Sequence, residues 1–460
     1  MLSDRALAAF RSALGNDRVL GDAATRAIYA CDETPHRVEP DAVLFPASHD
    51  DVVALARIAH EHHIALTLRG AGSGNVGGAV PAPGSVVVSF ECMRRILEFD
   101  PANRLMVVET GVVTDDIDRI ARSAGLFYPP DPGSSAYCRI GGNLAMNAAG
   151  PRAVKYGVTR DYVLGLRAVT GDGREIRTGC RTTKGVTGYD ITRLLIGSGG
   201  TLALITEATL KLLPAPDAVA TLRVCFASSR DALDAVSRVM HQSVMPCALE
   251  FMDHRSIDAI RPTGTADDLP PGTRALLMVE ADGAVEDLPR QIVALQQALD
   301  GNGLLEMKSG FDRQAIAQLW AARKSLSLAV KQIAPLKVNE DVVVPVSQLA
   351  DFVDFIDHTA HAHRLEAVSF GHAGNGNLHV NLMVHPDDAD EMDRAHLALD
   401  AIILRALALG GTLSGEHGIG TEKRRFVDRE IDPATLSLMR AIKQQFDPHG
   451  LLNPGKLFPD

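Results

Sequence analysis

No two of the six cysteines form a C-x-x-C pair. Cys31, Cys92, Cys138, Cys180, Cys225 and Cys247 stand singly along the chain. That spacing argues against an iron–sulfur cluster, a zinc knuckle or a disulfide framework, and it fits a reducing compartment. No apolar stretch reaches the roughly 20 residues that a membrane-crossing helix needs. Excess positive charge is missing too: 46 Lys and Arg stand against 57 Asp and Glu, a formal net charge of −11. A chain this acidic has no overall footprint for nucleic acid, although a local basic patch can still hold a small anion. The opening Met1-Leu-Ser-Asp-Arg-Ala-Leu7 lacks a basic segment followed by an apolar run. No secretory leader is therefore expected, and the expected location is the cytoplasm, with peripheral attachment to a membrane left open.

What is present is globular composition, with 46% hydrophobic and 22% charged residues in 460. The length exceeds what one core supports, so two or more domains are expected. Residues 42–46, 64–68, 85–90 and 105–109 read as strands. Asp50 is placed to cap a helix that runs through Val52, Val53, Leu55, Ala56 and Ile58, and 114–124 reads as a second helix. The stretch 129–160 is rich in Pro, Gly, Asn and Ala and is irregular except near 140–148. A long irregular segment of small residues inside a domain points to close backbone approach to a ligand. Residues 163–178 read as a hairpin turning at Gly171-Asp-Gly173, and 204–213 alternate as a strand. Pro214-Ala-Pro216 ends that strand and marks the clearest domain boundary. Beyond it, strands at 220–226, 275–280 and 337–345 alternate with amphipathic helices at 230–241, 288–299 and 346–363. That is an α+β layout with antiparallel strands.

Three glycine-rich segments fall in the first half. Thr67-Leu-Arg-Gly-Ala-Gly-Ser-Gly-Asn-Val-Gly-Gly-Ala-Val80 follows a strand, and its glycines free several N–H groups to face one anion, as a diphosphate requires. It is not the dinucleotide fingerprint, because no acidic residue closes a βαβ unit at the expected distance. The second segment is Pro129-Pro-Asp-Pro-Gly-Ser-Ser135 with Ile140-Gly-Gly-Asn-Leu-Ala-Met-Asn-Ala-Ala-Gly150. The third is Ile196-Gly-Ser-Gly-Gly-Thr-Leu-Ala-Leu-Ile-Thr206. Any one of them is also an ordinary turn. Three in one domain are harder to explain that way.

In this order the segments resemble the FAD-linked 2-hydroxy acid dehydrogenases of the vanillyl-alcohol oxidase superfamily, over nearly the whole chain from Pro46 to Lys456. The resemblance implies a two-subdomain FAD-binding domain over 1–216. It implies an α+β substrate (cap) domain with an antiparallel sheet over 217–415, and a segment over 416–460 that returns to the FAD domain. It also implies that FAD is held by Pro46, Arg69, Gly70, Ala71, Gly72, Ser73, Gly74, Asn75, Gly78 and Ala79. Further contacts would come from Pro130, Asp131, Pro132 and Ser134, from Gly141, Gly142, Asn143, Ala149 and Gly150, and from Gly200, Ile205 and Asn453. The family usually has Glu where Gly199 stands. Some relatives attach FAD through a histidine of the first loop. Here no histidine lies between 64 and 90, so non-covalent FAD is expected.

Two segments of the second half carry the remaining chemistry. In Gly371-His-Ala-Gly-Asn-Gly-Asn-Leu-His-Val-Asn381, two histidines flank a tight turn. Alternation puts Asn377, His379 and Asn381 on one face of the following strand, and the turn can return His372 to that face. In Gly411-Thr-Leu-Ser-Gly-Glu-His-Gly-Ile-Gly420, Glu and His stand together between glycines. His372, His379 and Glu416 make a two-histidine, one-carboxylate set for a divalent ion, with His417 left over as a base. In the family the matching residues hold zinc or manganese on the substrate's hydroxyl and carboxylate, and the histidine takes the hydroxyl proton. An arginine after the tryptophan grips the substrate carboxylate, which assigns that role to Arg323 in Leu319-Trp-Ala-Ala-Arg-Lys324.

The function the resemblance implies is oxidation of a small D-2-hydroxy acid, D-lactate-like, with electrons passed to a quinone, a cytochrome or an electron-transfer flavoprotein. D-2-hydroxyglutarate and glycolate are the alternatives, the latter as the catalytic subunit of a glycolate oxidase. The 2-hydroxyglutarate enzymes tend to carry a lysine where Asn339 stands, with Lys337 here two residues earlier. A non-redox transferase of the alkyl-glycerone-phosphate synthase type is remote, since that group has a run of histidines in place of Glu416-His417. A homodimer is left open.

Overall fold

The computed structural model describes residues 2–459, and the chain forms two compact units. Unit 1 takes the chain up to Gly150, then Val158–Ala215 and everything from Glu416 on. Unit 2 takes Pro216–Gly415 and the short excursion Pro151–Gly157.

In unit 1, a four-stranded sheet runs in the order Val19–Leu20, Ala42–Leu44, Val86–Ser89, Leu66–Arg69. The last three strands are parallel and the first is antiparallel to its neighbour. Val86-Val-Val-Ser89 is buried at every position, the continuous apolar run expected of a parallel strand covered on both faces. Two helices pack on it. Asp4–Leu14 contributes Ala6, Phe10 and Leu14, and His49–His62 contributes Val52, Leu55, Ala56 and Ala59, each set at helical spacing. The cap of the second helix is Ser48 and not Asp50: the Ser48 side chain accepts the Asp51 N–H at 3.1 Å, and Asp50 lies inside the first turn. A second sheet of unit 1 is five-stranded and antiparallel, ordered Ile96–Asp100, Leu105–Glu109, Ala203–Lys211, Val163–Thr170, Glu175–Gly179. The expected hairpin at 163–178 is its edge.

Unit 2 is built on a seven-stranded antiparallel sheet. Its order is Leu304–Gly310, Ala218–Phe226, Ala275–Gly283, Ala248–Met252, Glu366–Gly371, Asn377–Val384, Leu336–Val343. Met252, Met278 and Phe370 on one face share a core with Leu319, Ala322 and Leu326 of the helix Arg313–Ala329. The α+β reading with antiparallel strands holds here, and the helix Leu288–Leu299 has the bounds its periodicity indicated. Among the described residues, no helix is long and apolar enough to cross a membrane.

Candidate active site

In unit 1 the strand Leu66–Arg69 releases the chain into the first glycine loop at its carboxyl end, the position where α/β sheets present ligand sites. Among the described residues, no backbone N–H from Ala71 to Asn75 donates to another backbone group, and Gly74 looks onto open space. Loose N–H donors around a side-chain-free hollow suit a diphosphate. The second segment runs beside the first. A Cβ on Gly70 would stand 3.5 Å from the Gly142 nitrogen, and Gly142 also faces open space. Gly150 lies so close to the Pro-Asp-Pro segment that a Cβ there would be 2.2 Å from the Asp131 carbonyl oxygen. The third segment is joined by Asn453. Its side-chain nitrogen donates to the Gly199 carbonyl at 2.7 Å, its side-chain oxygen accepts the Leu68 N–H at 2.8 Å, and Gly200 lies against the same amide. The three glycine segments that sequence reasoning assigned to FAD thus run beside one another in unit 1, and the open faces of Gly74 and Gly142 suit the approach of a phosphate-bearing cofactor.

Several of them do structural work. Arg69 turns to the Cys31 carbonyl (2.6 Å) and stacks on Tyr29, bracing the loop. Buried Asn143 donates to Thr114 Oγ1 at 2.7 Å. Ser134 accepts the Cys138 N–H at 2.8 Å, and the Ile205 carbonyl accepts from Thr110 at 3.1 Å. Pro46, Pro130, Pro132 and Ala149 are buried, while Ala71, Gly72, Ser73, Asn75 and Ala79 are half-buried. Gly141 approaches the Thr110 backbone too closely for a side chain, and Gly78 lies against the tip of Met146. Gly199 has φ +61°, a left-handed conformation that would strain the usual Glu. Lys456 borders the candidate site, and sequence reasoning missed it. Nearly fully buried, it donates to the Gly77 and Val80 carbonyls at 2.7 and 2.6 Å. It lines a cleft with Gly78, Met146, Gly197, Gly199 and Ile419. Its only sequence signal was a lysine in a Pro-Gly-Lys turn.

In unit 2, the strand Asn377–Val384 carries His379 opposite Asp341 and beside Phe370. The turn at 373–376 returns His372 to the same face, where the two buried rings stand 5.3 Å apart at 88°. Glu250 on the strand Ala248–Met252 is a second missed residue. Its carboxylate is within hydrogen-bond distance of His372 Nδ1 and accepts from Arg323, at 3.1 Å to Nε and 3.0 Å to Nη2. Burial by itself would raise this carboxyl, but His372 and Arg323 outweigh it and hold the pKa at about 2. Arg323 also lies over the Phe370 ring at 5.0 Å. A lone Glu in the apolar run Ala-Leu-Glu-Phe-Met was the signal, since a buried carboxylate demands a partner. Asn339 is tied to Asn381, its amide donating at 2.6 Å. Two buried imidazoles beside paired charges are a donor set that fits a divalent ion. Glu416 and His417 open the last stretch of unit 1. The chain reaches them from Gly415, whose N–H donates to Asp341 at 2.9 Å.

Residues 215–457 match the family described as FAD linked oxidases, C-terminal domain, and residues 40–179 match the FAD binding domain. The chain is similar to the glycolate oxidase subunit GlcD of Bacillus subtilis, 37% identical over 436 residues, covering 95% of this chain and 93% of that one. It is similar to the probable mitochondrial D-lactate dehydrogenase of Danio rerio, 32% identical over 460 residues, with 99% and 92% covered. Among solved structures it resembles p-cresol methylhydroxylase with substrate bound, with TM-score 0.79 at 17% identity, covering 98% of this chain and 96% of that one. This likeness shows a shared fold.

Proposed function

The chain belongs to the FAD-linked oxidase family and is an FAD-dependent oxidoreductase, and from that premise we propose that it oxidises a D-2-hydroxy acid, D-lactate-like, to the 2-oxo acid. The observation that carries this reading is the group in unit 2 where Glu250, His372 and His379 of the sheet meet Arg323 of the helix Arg313–Ala329. A guanidinium for a carboxylate and imidazoles for a divalent ion suit a substrate bearing a carboxylate and a hydroxyl on adjacent carbons.

Arg323 binds and orients the carboxylate. His372, His379 and Glu416 would hold zinc or manganese, which when bound lowers the pKa of a coordinated hydroxyl. His417 removes the hydroxyl proton. The glycine segments of unit 1 would hold FAD without a covalent link, and FAD supplies the acceptor for the α-hydrogen. Reoxidation falls to an external acceptor. Asn339, engaged with Asn381, offers no cation for a second carboxylate. That favours a monocarboxylate over D-2-hydroxyglutarate.

Anaerobic bleaching of the flavin absorbance by D- and L-lactate, glycolate and D-2-hydroxyglutarate, with and without a chelator, tests this. The expected result is bleaching by D-lactate that the chelator abolishes. In the His417→Ala variant bleaching should be slower by about 10²- to 10⁴-fold. Bleaching by none of the acids would refute the substrate class. Bleaching that ignores the chelator would refute the metal.

A further inference from the structure

Glu250 has a demanding position in unit 2. It stands in a five-residue strand buried at every position, and its side chain is fully enclosed. A carboxylate there is strongly disfavoured unless every oxygen is partnered. Both oxygens are partnered, by different groups: Oε1 by His372 Nδ1, and Oε2 by Nε and Nη2 of Arg323. We infer that Glu250 is a positioning residue that fixes which nitrogen of His372 faces the metal and which edge of Arg323 faces the substrate. The inference rests on the metal reading above.

A carboxylate paired with a guanidinium only accepts hydrogen bonds, so the proton between it and His372 sits on Nδ1. The imidazole lone pair is then on Nε2, and Nε2 is the ligating nitrogen. The second oxygen acts on Arg323 in the same way. It occupies the Nε–Nη2 edge of the guanidinium, while Phe370 supports the plane from one side at 5.0 Å. The Nη1 end is left to meet a ligand carboxylate. A single buried side chain therefore sets the tautomer of a metal ligand and the orientation of the anion-binding group. His379 receives no such partner from Glu250; its cross-strand neighbour is Asp341.

The test uses the full-length, flavin-loaded protein stripped of metal, titrated with Zn²⁺ against a chromophoric chelator. Glu250→Gln should bind zinc about 10- to 100-fold more weakly than the parent protein. Glu250→Asp, which keeps the charge, should recover part of that loss. Arg323→Met should not weaken zinc at all. Zinc affinity in Glu250→Gln equal to the parent overturns the inference and leaves the metal reading standing. A parent protein that binds no zinc overturns both. Should Glu250→Gln not fold, nitrogen NMR of histidine-labelled parent protein decides, with His372 assigned by its loss in His372→Gln. A proton on Nδ1 is expected, and a proton on Nε2 overturns the inference.

Discussion

Lys456 shows how much one side chain can hold at the end of a chain. It fastens the first glycine loop by two carbonyls, and burial pushes its amine down from 10.5 to about 8. Between pH 8 and 10.5 the unfolded chain would keep this proton while the folded one has released it. Folded-state stability therefore rises with pH across that window, and below pH 8 the folded state carries the whole cost of burying the ammonium. Over that window the wild type should gain about 3 kcal/mol relative to Lys456→Met, from 1.36 kcal/mol per pH unit. Urea midpoints of the two proteins at pH 7.5, 9 and 10.5 measure it, and parallel pH profiles would contradict it. At this scale the sequence displayed the histidines, Glu416 and the glycine segments, because they stand in compact local patterns. Glu250 and Lys456 were not legible as site residues. Their partners lie 73 to 379 positions away, and only burial makes those partners obligatory.

Elements were legible where periodicity ran long enough. Leu105–Glu109 and Leu288–Leu299 fall where alternation and helical spacing put them. Val19–Leu20 went unread because two residues carry no period. The start of His49–His62 was misread by two positions. Ser48 and Asp50 both suit a cap, and local pattern does not separate them. Tertiary contacts do: Asp51 accepts the Ala47 N–H at 2.8 Å and pairs with Arg18, which fixes the chain so that Ser48 is the last extended residue. Ser48→Ala should therefore cost about 1 kcal/mol, and Asp50→Ala only a few tenths. Urea denaturation of both variants distinguishes them, and a reversed order would return the cap to Asp50.

The whole molecule has two units, each with its own sheet and core, and the segments proposed to hold FAD all belong to unit 1. Calorimetry of flavin-free protein should resolve two transitions. Saturating FAD at a thousand times its Kd should add about 4 kcal/mol to one of them, raising that transition on the order of 10 °C. An equal shift of both would show that the units do not unfold independently. The sequence by itself determined the fold class and displayed the glycine segments proposed for flavin and the histidines and glutamate proposed for a metal, since glycine freedom, strand alternation and imidazole chemistry are local properties. The tertiary structure decided how those parts are held. It paired Glu250 with His372 and Arg323, brought Asn453 and Lys456 back onto the glycine segments, and moved Pro151–Gly157 into unit 2. Those arrangements depend on which distant groups share a water-free interior, and no local pattern encodes that.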